Sequence, residues 1–432
     1  MFKKILSLAL VALMLVGCVA AFASCSGEKD YCYAPVAKEN LKVGLICLHD
    51  ENSTYDKNFI EAMKSAVKEM GLKDDQLVIK TNIPESDDAY KAAVELADAG
   101  CQLVFADSFG HEDFIMKAAE KYPNVQFCHA TGTKAHASYL GNYHNAFASI
   151  FQGRYAAGII AGYKLAQMEE KGEIKDANKD ANGNIKIGYV GAFPYAEVIS
   201  GFTSYYLGVK EGYTEMTGKE AKIVMDVQYT NSWYDEAKEK ETALKLIDGG
   251  AAIISQHADS MGAPNACKEK NVPNICYNVS TKTACPNSYL VASRINWAPY
   301  YKAAMEAVIA GTRVEEDYCG DISTGSVELF DLNESILEGK YLEAAKTMAK
   351  KVADKEFYDL VFDVNKFTVN GKKIETYMAD VNTDAAYTPD TEAVQVHKDS
   401  EGNIIAGYFL ESVYRSAPYF NIIIDGINVP KD

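Results

Sequence analysis

The chain has 432 residues, 48% of them hydrophobic, and 60 acidic against 43 basic side chains give a net charge of −17. At the usual ~100–200 residues per domain, that length builds two cores rather than one. The acidic balance repels nucleic acid and anionic lipid surfaces and so argues against a nucleic-acid role.

Lys3 and Lys4 precede an apolar run over 5–22, the layout of a secretory signal. No later stretch of about 18 apolar residues could span a bilayer, so the mature chain is expected to be exported and soluble. Two cysteines end the run in small-residue contexts, Leu15-Val16-Gly17-Cys18 and Phe22-Ala23-Ser24-Cys25, each like the box at which bacterial lipoproteins are cleaved and acylated. Cys18 is the better literal match. Cys25, however, is followed by the polar Ser26-Gly27-Glu28-Lys29-Asp30, the tether that a lipid-anchored domain needs, and is the expected acylation site with Cys18 as the alternative. Residues 1–25 thus read as signal peptide and lipid-attachment box, and 26–40 as tether.

Strand and helix signals then alternate. An apolar strand over 42–47 is followed by helical periodicity through Phe59, Met63, Val67 and Met70, closed by Gly71. Strand signals recur at 77–81, 103–106 and 125–129, with helices near 88–99 and 112–121 between them. After a helix over 153–168 and a polar loop over 171–184, a second series has strands at 186–190, 223–229, 253–256 and 272–277 and helices near 197–213, 236–246 and 262–270. Short continuous apolar strands alternating with helices imply parallel sheets covered on both faces, an α/β chain of two doubly wound lobes. Cys47, Cys101 and Cys128 fall in or beside these strands and read as buried thiols, although the export context permits disulfides. Cys267, Cys276 and Cys285 are too widely spaced for the short clips of zinc sites, and no metal or cofactor is expected.

Such sheets present their binding loops at the carboxyl ends of the strands. The residues there include Tyr55, Ser108 and Phe109 in the first series and Phe193, Trp233, Tyr234, His257, Asp259 and Asn278 in the second, with Trp297 after a later strand. Planar aromatics and neutral hydrogen-bonding groups suit a flat heterocycle with polar edges. A sugar phosphate would call for clustered Arg and Lys, which are nearly absent. His257 and Asp259 lack a motif-linked nucleophile, so they are expected to bond a ligand edge rather than to catalyse.

Several motifs carry a family resemblance: Ser108-Phe109-Gly110, His129-Ala130-Thr131-Gly132, Gly153-Arg154-Tyr155-Ala156-Ala157-Gly158, Asn231-Ser232-Trp233-Tyr234-Asp235, Gln256-His257-Ala258-Asp259-Ser260 and Asn296-Trp297-Ala298-Pro299-Tyr300-Tyr301. Together, over about 42–311, they resemble the basic membrane protein family of ABC-transporter binding lipoproteins, and most closely its adenine-binding branch. The resemblance implies a type I periplasmic binding protein, two lobes joined by a hinge. It divides the chain into lobe 1 (41–138 and 290–322) and lobe 2 (139–289 and 323–432, with a C-terminal extension). It also implies a monomeric, non-enzymatic receptor, lipid-anchored outside the cell membrane, that serves an ABC permease and its ATPase and captures a purine. A riboflavin-type cargo or an extracytoplasmic nucleoside hydrolase are the alternatives.

By the same resemblance Trp233 falls at a purine-stacking position, and Asn278 where a ribose-binding carboxylate is expected. Phe59 matches a second stacking aromatic, yet it also fits the core face of its own helix. Beyond Thr312 the resemblance fades; a strand over 325–329, a helix over 335–353 and turn signals at Asn370-Gly371 and Glu401-Gly402-Asn403 are expected.

Overall fold

The alternation of largely buried strands with amphipathic helices builds the first unit from β1 (Val43–Ile46), α1 (Thr54–Glu69), β2 (Leu77–Lys80), α2 (Asp87–Asp98), β3 (Leu103–Ala106), α3 (Glu112–Lys121), β4 (Gln126–Ala130) and β5 (Tyr143–Ala148). The second contains α4 (Ile150–Glu170), β6 (Ile185–Gly191), α5 (Ala196–Thr217), β7 (Ile223–Tyr229), α6 (Glu236–Asp248), β8 (Ile254–His257), α7 (Gly262–Lys270), β9 (Asn274–Tyr277) and β10 (Tyr289–Ile295). There follow α8 (Ala298–Ala310), β11 (Asp317–Gly320), β12 (Val327–Phe330), α9 (Gly339–Ala353), β13 (Thr376–Ala379), β14 (Glu392–Gln395) and β15 (Ile427–Asn428). This is a computed structural model, and it describes residues 34–379, 392–396, 407–412 and 415–430. The signal segment with Cys18 and Cys25, Cys32, and the turn signal at Glu401-Gly402-Asn403 lie outside the described residues. No described helix is long and apolar enough to cross a membrane.

Two sheets result. The first has the order β11-β5-β4-β3-β1-β2, all parallel, and the second the order β12-β10-β9-β8-β6-β7-β15, parallel except for β12 against β10. β1 and β3 are buried at every position because helices cover both faces of the sheet. Helix starts are locally encoded: Ser53 caps α1 through the amide of Asp56, and Asp235 caps α6 through that of Lys238.

Strand pairing moves two of the expected lobe boundaries. β5 pairs with β4, so 143–148 belong to lobe 1, and β10 pairs with β9, so 290–295 belong to lobe 2. Each is the last strand its lobe gains before the chain crosses, and a later strand, β11 or β12, then pairs along its outer edge. The crossings therefore lie between β5 and α4, between β10 and α8, and between β11 and β12.

Lobe 2 is welded by α4 and α5, which approach closely because glycines face each other. A Cβ on Gly158 would lie 2.3 Å from the Tyr205 carbonyl oxygen, and one on Gly212 2.1 Å from that of Ile159. The seven cysteines among the described residues are free thiols, six of them buried. The segment after α9 adds an aromatic cluster that is continuous with the main core, with Phe362 stacked on Phe420 at 3.9 Å, Phe367, Tyr377 and Phe409 around that pair, and Phe151 of α4 5.1 Å from Phe362. Its end, β15, extends the second sheet by pairing with β7.

Candidate functional site

The carboxyl ends of the two sheets face each other across a cavity that encloses about 480 Å³ together with its mouth. Lobe 1 lines it with Leu48, His49, Ser53, Tyr55, Asp56, Ser108, Phe109 and Thr131; lobe 2 with Glu197, Trp233, Tyr234, His257, Asp259 and Tyr277. The lobes touch directly beside it. Thr54 donates from both its amide and its hydroxyl to the Asp259 carbonyl, at 3.0 and 2.9 Å, and Asn58 donates to the Ile295 carbonyl at 2.7 Å. Phe109 and Tyr195, each about half exposed, approach to 6.4 Å across the mouth. The arrangement is a closed one.

Tyr55, Ser108, Phe109, Trp233, Tyr234, His257 and Asp259 are thus brought together around one space, as the sequence led us to expect of loops at strand ends. Phe193, Asn278 and Trp297 do not line it. Phe193 lies behind the wall, stacked on Tyr195 at 5.1 Å and edge-on to Trp233 at 5.2 Å. The Asn278 side chain is buried and turned to the Ile295 amide and to Asn58. Trp297, 2% exposed, stacks on Phe59 at 4.5 Å as part of the core, which is also where Phe59 resides. Leu48, His49, Ser53, Asp56, Thr131, Glu197 and Tyr277 complete the lining and were not among the expected site residues. His49, Ser53 and Thr131 belong to strand-end loops, which was the available signal. Asp56 and Glu197 sit in first helical turns and Tyr277 is the last residue of β9, where nothing local marks a cavity face.

Each wall is held from behind. Glu85 accepts from the Ser108 hydroxyl at 2.6 Å and from the Gly110 amide at 2.8 Å, which fixes the loop carrying Phe109. Tyr55 donates to the Asp107 carbonyl at 2.8 Å. His257 is buried and within 3.2 Å of Glu197; burial, aided by the nearby Arg154 cation, lowers its pKa and leaves a neutral imidazole at neutral pH. Arg154, fully buried, donates to the Gln256 carbonyl at 2.7 Å and covers the Tyr277 ring at 3.9 Å.

Burial also pushes the Asp259 carboxyl well above the usual carboxylate range, with Glu239 and Asp56 adding repulsion. Asp107, behind the cavity floor, is raised in the same way by burial and by Asp56. Cys47, Asp56 and Asp107 bring their side-chain ligating atoms within 4.8 Å of one another. Asp56 and Asp107 each also accept a main-chain amide, from His49 and Leu48 respectively. The lining therefore combines aromatic faces with hydroxyl, imidazole and carboxyl groups, and among the described residues no Lys or Arg is part of it. The Ser108 hydroxyl is committed to Glu85 and that of Ser53 to the α1 cap, so neither cavity serine is paired with a histidine as an activated nucleophile would be.

Comparison with known proteins agrees with this geometry. Residues 44–356 match the family described as "ABC transporter substrate-binding protein PnrA-like" (Bmp). The chain is 32% identical over 296 residues to a purine-binding protein of Brucella abortus (strain 2308), covering 68% of this chain and 76% of that protein. It is 28% identical over 238 residues to a putative ABC transporter glucose-binding protein of Haloferax volcanii, covering 55% of this chain and 54% of that one. Among solved structures, a solute-binding protein of an ABC transporter system from Conexibacter woesei superposes with a TM-score of 0.55 at 20% identity, covering 74% of this chain and 98% of that one. One from Aeropyrum pernix K1 does so with a TM-score of 0.54 at 18% identity, covering 74% and 87%. These two establish the two-lobed periplasmic-binding-protein fold of type I. With two lobes closed around one cavity and a family match over most of its length, the chain belongs to the PnrA-like (basic membrane protein) family of ABC transporter substrate-binding proteins, extracytoplasmic receptors that pass a small molecule to a permease.

Proposed function

We propose that this receptor captures a purine, adenine or another nucleobase before a nucleoside, and delivers it to the permease and ATPase of an importer without chemical change. The observation that carries this reading is the lining itself. Flat aromatic walls from Tyr55, Phe109, Trp233, Tyr234 and Tyr277 enclose a space edged by Glu197, His257 and Asp259. The Asp259 carboxyl, its pKa raised by burial, and the His257 imidazole border this space as hydrogen-bonding groups for the polar edge of a flat ring. Among the described residues no Lys or Arg lines the cavity, which disfavours a phosphorylated ligand. Asn278, at the position the family resemblance links to a ribose, is buried and turned to Asn58 and the Ile295 amide rather than into the cavity, which supports a base over a nucleoside. The purine-binding relative in Brucella supports the same ligand class. We further read the protein as a monomer anchored to the cell membrane by a lipid on Cys25.

Native mass spectrometry of protein purified without added ligand, followed by calorimetric titration with adenine, hypoxanthine, adenosine and riboflavin, tests the proposal. Adenine binding tightest, with a smaller radius of gyration in solution scattering, is the expected result. Riboflavin or a hexose binding in preference to every purine would overturn the ligand, and free base appearing from adenosine would overturn the non-enzymatic reading.

A further inference from the structure

The family match ends at residue 356, so the chain beyond it is an addition to the family's common body. That addition is rooted in lobe 2. Lys366 reaches the Tyr155 hydroxyl at 2.7 Å, Thr203 meets the Ile422 carbonyl at 3.4 Å, and β15 lengthens the second sheet. Between these roots, Glu411 and Ser416, each 2% exposed, face different lobes. Glu411 accepts from the Ser200 hydroxyl at 2.8 Å. Ser200 follows Glu197 by one helical turn in α5, and Glu197 lines the cavity and meets His257. Ser416 accepts at 2.6 Å from the side-chain amide of Asn145 on β5, in lobe 1. The same amide group grips Gly132 by both its N–H and its carbonyl, and Gly132 directly follows the cavity residue Thr131.

A segment packed and paired onto one lobe therefore bonds a group of the other lobe that sets a wall of the cavity. A contact made more strongly in the closed arrangement shifts the open–closed equilibrium by its differential energy. We propose that the C-terminal extension is a clasp across the lobes, in which Glu411 and Ser416 are positioning residues that hold the Glu197 and Thr131 sides of the cavity closed and slow ligand release. The clasp rests on the receptor reading for its effect on release, but not on the identity of the ligand.

The test measures the distance between lobes in the ligand-free full-length protein by pulsed electron resonance, with labels at Lys117→Cys on α3 and Lys245→Cys on α6. Release of adenine is followed separately by stopped flow. Ser416→Ala and Glu411→Ala should each widen the ligand-free distance distribution and speed release by about 3- to 10-fold. Glu411→Gln, which keeps an acceptor for Ser200, should stay within about twofold of the parent on the same scale. Alanine variants that lower the melting temperature but leave distances and release unchanged would overturn the clasp and leave the extension a structural addition. If Glu411→Ala fails to fold, Ser416→Ala decides alone, because Asn145 keeps its bonds to Gly132 there. If adenine does not bind, the ligand proposal fails, while the ligand-free distances still decide the clasp.

Discussion

Replacing each of the chain's two tryptophans in turn separates ligand contact from packing. Trp233 is half-buried on the cavity wall, with Phe193, Tyr195 and His257 beside it at 5.2, 6.0 and 6.4 Å. Its loop is held through the main chain, where its carbonyl accepts from the Asp259 amide at 2.9 Å, and alanine leaves that bond intact. Stacking of a base on an aromatic is worth about 1–3 kcal/mol, so Trp233→Ala should weaken purine binding by roughly 5- to 150-fold with little change in ligand-free melting temperature. Trp297 presents the opposite case. At 2% exposure and stacked on Phe59, its truncation should cost about 3–5 kcal/mol of stability while the protein that remains folded binds within about twofold of the parent. Calorimetric titration and thermal melts read the two effects, and intrinsic fluorescence adds a third. A ligand-induced fluorescence change should survive Trp297→Phe and vanish in Trp233→Phe. Affinity of Trp233→Ala within twofold of the parent, or a collapse of its ligand-free melting temperature, would refute the reasoning and return that side chain to the core of lobe 2.

Three further outcomes follow from individual contacts. Thr54→Val removes the hydroxyl bond to Asp259 across the lobes and should weaken ligand binding by about 2- to 10-fold, mainly through faster release; unchanged stopped-flow rates would show that closure does not depend on this contact. Burial raises the Glu411 carboxyl from 4.5 to about 7, so the folded protein holds a proton there that the unfolded chain releases. Stability should accordingly be greatest below about pH 4.5 for this group and fall as pH rises towards about 7, by up to about 3 kcal/mol. Glu411→Gln should flatten that part of the profile in denaturant titrations at pH 5 and pH 7.5, and an unaltered slope would assign the dependence to other groups. Cys25→Ser should release the protein from the membrane fraction whereas Cys18→Ser should not, and loss of acylation in the Cys18 variant alone would move the anchor to that residue.

The alternation of apolar strands such as 42–47 with periodic helices was legible in the sequence, because a parallel sheet buried on both faces leaves that signature locally in each segment. So were the strand-end loops that line the cavity, since they carry their polar and aromatic residues in the open: Tyr55, Phe109, Trp233 and Asp259 all border it. What the sequence left undecided depends on which distant segment each side chain meets. β5 and β10 are buried strands like their neighbours, and only pairing with β4 and β9 assigns them to their sheets. Trp233 and Trp297 both follow strands beside polar residues, yet one ring faces the cavity and the other lies on Phe59 from a helix more than 200 residues away in the chain. Glu197 and Asp56 look like ordinary first-turn acids, favoured there by the helix dipole, until the second lobe closes opposite them. The extension's hold on Asn145 and Ser200 is likewise a tertiary fact, because neither Glu411 nor Ser416 carries a local signal, and the cavity exists only where two sheets remote in sequence are folded face to face.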